Sequence, residues 1–268
     1  MLTAQRLLFR LDQTHLTSLA ELHQSTFQSA SPFPHIVIDD FLPESILDEV
    51  LKEFPNPKEI EWQSFKNPAE RKLASCEEQM MGDATALLLH QLNSSTFVTF
   101  LESLTGIQGI LPDPHFEGGG LHQIERGGYL KIHVDFNWHS RLKLDRRLNL
   151  ILFLNRNWQE EYGGHLELWD REMTHCHKRI LPVFNRCVIF NTNDYSYHGH
   201  PDPLTCPEGM TRKSLALYYY SNGRPAHELK EGKGYHSTVF RSRTADEVVS
   251  TEPPSQSLVG KILTKLGR

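Results

Sequence analysis

The segment that decides the fold is Gly-Tyr-Leu-Lys-Ile-His-Val-Asp, residues 128–135. A glycine pair at 127–128 indicates a turn, and the run that follows it predicts a strand ending near His133 and Asp135. Side chains two residues apart on a strand point to the same face, so this imidazole and this carboxylate could bind one metal ion. The segment therefore predicts a strand that holds two metal ligands at its open end.

A histidine followed two residues later by an acidic residue is not rare in this sequence. The chain has 15 His and 33 Asp and Glu in 268 residues, which predicts about two such pairs by chance. Four are present: His115/Glu117, His133/Asp135, His165/Glu167 and His200/Asp202. Prolines on both sides of Asp202 exclude a regular strand there, and the glycine run after Glu117 indicates a loop. Context therefore favours His133 and Asp135, with His165/Glu167 as the alternative pair.

A third ligand and an anion-binding residue are expected further along the chain. His198 follows an apolar run and a polar turn, and His200 is the alternative ligand. Arg212 lies on the last predicted strand and shares a face with Ser214. An arginine inside a β-barrel without an acidic partner costs several kcal/mol. An inward Arg212 therefore requires an anion, such as a ligand carboxylate bound by two hydrogen bonds.

Outward from this segment, the chain changes character near residue 107. Before it, apolar spacing predicts one or two amphipathic helices in residues 1–30, a strand at 35–38, a helix after Pro43 and a helical stretch at 82–104. After it come short β-rich runs separated by glycine and proline, at 129–133, 148–154, 165–168, 187–190 and 214–220. Helices followed by many short strands predict a helical layer packed on an all-β sandwich or barrel.

These patterns divide the chain into three parts. Residues 1–106 are predicted to be a helical and strand region that packs on the core, and residues 107–240 form that core. Residues 241–268 are rich in Ser, Thr, Pro and charge, and we expect a flexible tail there. The tail ends in a short basic amphipathic helix at 258–266, for which docking on the same domain is the simplest expectation.

Composition excludes several classes of protein. The formal net charge is −5, from 28 Lys and Arg against 33 Asp and Glu, so no nucleic-acid partner is expected. No run approaches the roughly 20 apolar residues of a transmembrane helix, and charges at 6, 10 and 12 interrupt any signal-peptide core. The four cysteines lie far apart without a Cys-x-x-Cys pair. This pattern fits a reducing compartment, and we expect a cytoplasmic location.

Taken together, the segments resemble the prolyl-hydroxylase-like group of the Fe(II)- and 2-oxoglutarate-dependent oxygenases. The matching parts stand in order at 128–135, 148–155 with Trp158, 163–168, 188–190, His198 and 212–215, with an upstream strand and helix start at 33–43. The resemblance implies an α+β, mainly β fold. Its core would be a double-stranded β-helix, or jelly roll, with N-terminal helices buttressing one sheet.

The resemblance also implies roles for single residues. His133, Asp135 and His198 would form a facial triad on Fe(II), with two open positions for 2-oxoglutarate and one for O2. Arg212 would bind the distal carboxylate of 2-oxoglutarate together with Ser214, and Lys213 would replace Arg212 if the alignment slipped by one residue.

Related enzymes often place a tyrosine hydroxyl beside that carboxylate, where this sequence has Phe153. An additional donor must then come from Asn149, Ser214 or elsewhere. The implied reaction converts 2-oxoglutarate and O2 to succinate and CO2 and hydroxylates an unactivated C–H bond.

The substrate is the least specified part of this hypothesis. The resemblance favours an amino-acid side chain, free or in a peptide, with proline first, and other small metabolites remain open. Tyr129, Asn137 and Trp138 could contact the substrate, although a purely structural role is as consistent with each. Two alternatives remain at this point: a cupin-like metalloenzyme that does not use 2-oxoglutarate, and a non-catalytic β-sandwich binding module. A homo-oligomer is also open.

Overall fold

The computed structural model describes residues 9–231 and 234–249. These residues form four α-helices: α1 Gln13–Ser29, α2 Glu44–Glu53, α3 Asp83–Leu92 and α4 Ser95–Thr105. They also form fourteen strands: β1 His35–Ile38, β2 Gln63–Asn67, β3 Glu70–Ser75, β4 Leu111–Pro112, β5 Gly120–Glu125, β6 Tyr129–Val134, β7 Trp138–His139, β8 Leu144–Phe153, β9 Leu166–Trp169, β10 Cys176–Ile180, β11 Cys187–Asn191, β12 His198–His200, β13 Thr211–Ser221 and β14 Val239–Phe240.

The helices have the ends that their sequences predict. Asp12 caps α1, because its carboxylate accepts hydrogen bonds from the N–H groups of Thr14 and His15 at 2.8 and 3.2 Å. Helix α4 ends at Gly106, whose φ of 76° is the left-handed conformation that favours glycine at a helix end. Helices α1 and α4 pack against each other, and their buried apolar residues belong to the main hydrophobic core together with strands β8 and β13. The expected helical buttress is therefore present.

The strands form one curled antiparallel sheet. Its order is β1, β11, β8, β13, β5, β3, β6, β12, β9 and β10, with β2, β4, β7 and β14 attached at single neighbours. Strands β8, β11 and β13 run through the buried centre of this sheet, where β8 pairs with both others. The architecture is mainly β with an N-terminal helical layer, which confirms the jelly-roll prediction.

The N-terminal region also contributes strands to the core sheet. Strand β1 lies where it was predicted and pairs with β11, but the sequence analysis predicts no strand at the hairpin of β2 and β3. Its residues are largely polar and half-exposed, so they lack the apolar alternation that identifies a strand. Strand β3 nevertheless lies between β5 and β6. The predicted helical stretch at 82–104 is two helices, because Ser94 starts α4 as an N-cap.

Residues 241–249, the described part of the predicted flexible tail, contact the core, and the flexibility of the tail as a whole stays a prediction. Strand β14 pairs with β6, and the N–H of Arg241 donates to the carbonyl of Ile132 at 2.8 Å. Glu247 accepts from Lys131 Nζ at 2.8 Å and from Arg243 at 2.9 Å. The predicted helix at 258–266 lies outside the described residues. Among those that are described, no helix is both long and apolar enough to cross a bilayer.

Candidate metal centre and cosubstrate cavity

The pairing of β12 with β6 contains a β-bulge next to the candidate metal ligands. His198 on β12 pairs with His133 on β6, whereas His200, two residues later, pairs with Leu130, three residues earlier. The additional residue on β6 is therefore accommodated as a bulge. As a result His133, Leu130, His198 and His200 all line one cavity. Gly199 lies where the bulge approaches, and a Cβ there would stand 2.7 Å from the carbonyl oxygen of Leu130.

Among the described residues, one group of three side chains has the donors for a metal ion: His133 on β6, Asp135 directly after it and His198 on β12. The ligand atoms of His133, Asp135 and His198 all lie within 4.8 Å of one another. Each histidine Nε2 is 3.5 Å from a different carboxylate oxygen of Asp135. Each Nδ1 donates at 2.9 Å to a backbone carbonyl, that of Lys131 or Ser196. These bonds fix the tautomer that leaves the Nε2 lone pairs pointing at the shared space.

Asp135 is held by two residues of β8. Asn149 donates from Nδ2 to Oδ2 of Asp135 at 2.8 Å, and Arg146 Nη2 is 3.2 Å from the same oxygen. The Arg146 guanidinium lies between the rings of Tyr218 and Phe136, with its central carbon 3.4 and 4.3 Å from their centroids. Sequence reasoning missed Arg146. The signal was an Asp-Arg-Arg run inside a strand that is otherwise apolar, since buried charges require partners.

The protonation states suit a divalent cation. Burial alone would raise the pKa of Asp135, but the charge of Arg146 and the contacts with His198 and His133 hold it well below its usual value. Burial lowers the pKa of His198 to about 4. An ionised carboxylate and a neutral imidazole are thus present together at neutral pH. Two imidazoles and one carboxylate are the donor set of the facial triad of Fe(II) oxygenases, so these residues fit that metal.

The triad opens into an enclosed cavity of about 70 Å³. Strand β13 contributes Arg212 and Ser214 to its wall, as their shared face predicted. Arg212 is 4% exposed, and its Nε donates to the carbonyl of Gly164 at 2.9 Å. Among the described residues no carboxylate forms an ion pair with it, and burial lowers its pKa to about 9. Lys213 is outside the cavity wall, and its Nζ donates to Thr211 Oγ1 at 2.7 Å.

Other polar groups stand around the same cavity. His200 is 3% exposed, and neither of its ring nitrogens has a hydrogen-bond partner in the described structure. Burial, with the positive charges of Arg212 and Lys72, holds the pKa of His200 well below its ordinary value. Phe153 lies beneath Arg212, with its ring centroid 4.8 Å from the guanidinium carbon.

The structure places Asn149 at the metal end of this cavity. Its amide nitrogen donates to Asp135 and its oxygen accepts from Arg146 Nε at 3.1 Å, so both polar atoms have partners there. Asn149 stands opposite Tyr218, whereas Phe153 stands opposite Ser214, four residues along the strand. Asn149 also lines the cavity, and its binding of 2-oxoglutarate stays a prediction.

The three predicted substrate contacts are not among the cavity-lining residues. Tyr129 donates from its hydroxyl to the carbonyl of Asn67 at 3.2 Å. Asn137 is buried, donates to Asp194 at 3.2 Å and accepts from the N–H of His236 at 2.9 Å, so it anchors the chain near residue 236. The Trp138 ring stacks on Tyr235 with centroids 3.9 Å apart. Each has a structural contact, and their binding of substrate stays a prediction.

The alternative metal pair has other partners. His165 contacts Glu160 through Nε2 at 2.8 Å, and Glu167 accepts from Trp169 Nε1 at 3.0 Å. His200 lies beyond the group of three ligand atoms, so the geometry favours His198 as the third ligand.

Comparison with known proteins agrees with this geometry. Residues 119–220 match the model of the 2OG-Fe(II) oxygenase superfamily. No curated protein is significantly similar to the chain in sequence.

Solved structures share the fold. A Pseudomonas putida prolyl-4-hydroxylase superposes with a TM-score of 0.53 at 15% identity, over 78% of this chain and 100% of that one. A Trichoplax adhaerens prolyl hydroxylase, solved with a peptide fragment of the hypoxia inducible factor oxygen degradation domain, gives 0.52 at 19% identity, over 78% and 91%. HygX from Streptomyces hygroscopicus, solved with nickel, 2-oxoglutarate and hygromycin B, gives 0.51 at 12% identity, over 81% and 96%.

The superfamily match covers β5 through most of β13, which includes every residue of the metal group and the arginine at the other end of the cavity. It favours an oxygenase over a cupin-like enzyme without 2-oxoglutarate and over a binding module. The match over residues 119–220 supports a 2-oxoglutarate- and Fe(II)-dependent dioxygenase, and the chain shares its fold with prolyl 4-hydroxylases.

Proposed function

We propose that this dioxygenase hydroxylates an unactivated C–H bond on an amino-acid side chain, free or within a peptide, with proline as the first candidate. The observation that carries the site assignment is the buried Arg212, which has no acidic partner in the described structure and lines the same cavity as the three metal-ligand side chains. A dicarboxylate that binds the metal at one end and Arg212 at the other accounts for both features.

His133, Asp135 and His198 would hold Fe(II). The backbone carbonyls of Lys131 and Ser196 orient the two imidazoles, while Asn149 and Arg146 orient the carboxylate. When bound, Fe(II) supplies the oxidative chemistry in which 2-oxoglutarate and O2 give succinate, CO2 and the hydroxylated product. The protein contributes placement of the reactants and exclusion of water.

Arg212 and Ser214 would bind the distal carboxylate of 2-oxoglutarate. Arginine offers two parallel N–H groups that match a carboxylate, and the low exposure of the site strengthens this contact. The apolar side chains of Ile124, Leu130 and Leu166 line the same cavity and exclude water from it. The carbon chain of the cosubstrate would pack on them.

The identity of the substrate rests on weaker support. Two of the solved structures with this fold are named prolyl hydroxylases, which favours proline, and one of them holds a peptide. HygX was solved with hygromycin B, so this fold also accepts a small molecule. Amino acids, peptides and small metabolites are therefore the substrate classes to test first.

The cosubstrate assignment can be tested without knowing the substrate. Under anaerobic conditions, the metal-free protein is titrated with Fe(II) and then with 2-oxoglutarate, and the visible absorption is recorded. We expect a weak charge-transfer band from 2-oxoglutarate chelating the iron. The band should be absent in Asp135→Ala and retained in His177→Ala, a change at an exposed histidine on β10. Iron binding without the band in the unaltered protein would refute the cosubstrate site.

The substrate assignment needs a separate experiment. Free L-proline, proline-containing peptides and matched peptides without proline are incubated with Fe(II), 2-oxoglutarate and isotopically labelled O2. Mass spectrometry should show one labelled oxygen in the proline compounds, with stoichiometric succinate. Labelling of peptides that lack proline would move the site of hydroxylation to another side chain.

A further inference from the structure

The end of the cavity away from the metal has one unexplained polar side chain. His200 is buried, and in the described structure both of its ring nitrogens lack hydrogen-bond partners. In either neutral tautomer an imidazole carries an N–H, and leaving a buried donor without an acceptor is unfavourable. A side chain of this kind in a cavity requires a ligand or a water molecule as its partner.

The backbone holds His200 in this position. It lies on the same face of β12 as His198, because the two residues are separated by one residue of a strand. Gly199, between them, is pressed against the bulge of β6, where a Cβ would stand 2.7 and 2.8 Å from two carbonyl oxygens. The two strands are therefore in close backbone contact at this point, and the His200 ring lines the cavity wall.

His200 and Arg212 approach the same point from two strands. Gly199 pairs with Glu167 on β9, so His200 stands beside the start of that strand at Leu166. Arg212 donates from Nε to the carbonyl of Gly164, two residues before Leu166. Both side chains line the cavity, and so does Leu166. The free donors of an arginine and a histidine thus converge on one end of the cavity.

The charge at this end is positive. Lys72 also lines the cavity and is paired with Glu70 at 3.2 Å. The single acidic residue among those that line the cavity is Asp135, which belongs to the metal group. Phe153 under Arg212 carries no hydroxyl, so it offers no hydrogen bond to an anion. A carboxylate that contacts Arg212 and Ser214 at this end would therefore find a further N–H donor in His200.

We propose that His200 donates a hydrogen bond to the distal carboxylate of 2-oxoglutarate, beside Arg212, and thereby selects a dicarboxylate over a monocarboxylic 2-oxo acid. The proposal rests on the proposed function of Arg212. It gives His200 a role that is separate from the metal group, although it lies two residues from His198.

The test compares two probes that chelate iron identically. 2-Oxoglutarate has a distal carboxylate, and 2-oxovalerate has the same carbon chain length with a methyl group in its place. The dissociation constant of each is measured anaerobically with the Fe(II) protein from the charge-transfer absorption, so no turnover is involved. We expect His200→Leu to weaken 2-oxoglutarate binding by about tenfold to a hundredfold, because a hydrogen bond to a charged group is lost. The binding of 2-oxovalerate and of Fe(II) should change less than about threefold.

The conservative variant and a second apolar variant complete the design. His200→Gln keeps a side-chain N–H near the position of Nε2 and should recover most of the preference for 2-oxoglutarate. His200→Ala should lose the preference as His200→Leu does, and it replaces that variant if the leucine protein does not fold. Equal weakening of both probes would show a merely structural role and overturn the proposal. An unchanged preference would overturn it as well, with water as the partner of His200.

Arg212→Met separates this proposal from the one on which it depends. If Arg212→Met loses the preference for 2-oxoglutarate and the His200 variants keep it, the cosubstrate site stands and only the role of His200 is wrong. If Arg212→Met also keeps the preference, the distal carboxylate binds elsewhere and both proposals fail.

Discussion

Two buried arginines, Arg212 in the cavity wall and Arg146 behind its metal end, have opposite surroundings. Arg146, at the metal end, is 1% exposed and has partners on every side: Asp135, Asn149 and the rings of Phe136 and Tyr218. Arg212, at the other end, is 4% exposed and contacts one backbone carbonyl and the face of Phe153, with no carboxylate in the described structure. The Arg146 guanidinium is therefore paired within the protein, whereas most N–H groups of Arg212 have no partner in the described structure.

The presence or absence of a partner within the protein separates a buried charge that supports the fold from one that is suited to bind a ligand. A buried charge that is neutralised within the protein stabilises the fold in the absence of ligands, because removing it would leave its partner unpaired. A buried charge without a partner destabilises the ligand-free fold and is neutralised only when an anion binds. The two arginines should therefore respond in opposite directions to the same substitution.

We expect the largest effect, on Fe(II) affinity, from substitution of Asp135. Asp135→Ala should lower Fe(II) affinity by more than the roughly hundredfold that loss of an outer contact costs, because a direct ligand is removed. Equilibrium dialysis with Fe(II) under anaerobic conditions measures it. His177→Ala is the matched control, and the assignment is wrong if both proteins bind iron equally.

The next effect is on Arg146. Arg146→Met should destabilise the metal-free protein by about 3–5 kcal/mol, since it leaves the buried Asp135 carboxylate without its charge partner. Urea unfolding measures the free energy change. Saturating Fe(II) should reduce the loss, because the metal then neutralises the carboxylate. A loss that is the same with and without metal would mean that packing between Phe136 and Tyr218, and not charge, accounts for the effect.

The same substitution at Arg212 should have the opposite sign. Arg212→Met should stabilise the ligand-free protein by about 1–4 kcal/mol, because it replaces an unpaired buried cation by an apolar side chain of similar length. It should also weaken 2-oxoglutarate binding by about tenfold to a hundredfold. Thermal unfolding with and without 2-oxoglutarate measures both, and a destabilised ligand-free variant would contradict the comparison.

We expect the smallest effect on stability from a third arginine, Arg243, which is more exposed than Arg146 and Arg212. Arg243 pairs with Glu247 and with Asp202 at 2.9 Å. Burial alone would raise the pKa of Glu247, but the hydrogen bonds from Arg243 and Lys131 lower it to about 2. A carboxyl whose folded pKa is depressed contributes stability above its unfolded pKa and loses it as the pH falls through the folded value. The protection factors for hydrogen exchange at residues 241–249 should therefore fall as the pH is lowered from about 4.5 to about 2.

Arg243→Met should remove that pH dependence in large part while costing no more than about 1 kcal/mol of global stability, because the pair is partly exposed. Glu247→Gln is the matched control and should abolish the acid transition at this segment. An unchanged transition in Glu247→Gln would assign it to another carboxylate.

The sequence revealed the strand that carries the ligands but not the network that supports them. Strand alternation singled out His133 with Asp135 and Arg212 with Ser214, because it is a local property, and the family resemblance added His198 and the roles expected of all five. Arg146 was not identified, since its role depends on the β8 register that brings it to Asp135. Whether it is paired cannot be read from neighbouring residues.

Long-range pairing also explains what was missed in the fold. The hairpin of β2 and β3 has a polar surface-like sequence, and its position between β5 and β6 depends on contacts with residues some 50 positions away. His200 was weighed only as a rival ligand, because the bulge that sets its register with Leu130 leaves no sequence signature. Local sequence patterns predict whether a segment is a helix or a strand. The order of the strands in the sheet determines which side chains come into contact, and it depends on residues distant in sequence.

The neighbours of β6 impose an order on assembly during synthesis. This strand pairs with β12 along one edge, and its other edge is shared between β3 at its start and β14 at its end. A chain made from its N-terminus has β3 available at once, receives His198 much later and β14 later still. Contacts so distant in sequence form slowly, and an incomplete sheet has open edges until they do. The three candidate metal ligands are therefore brought together only after residue 198 has been synthesised, when most of the described chain has been made.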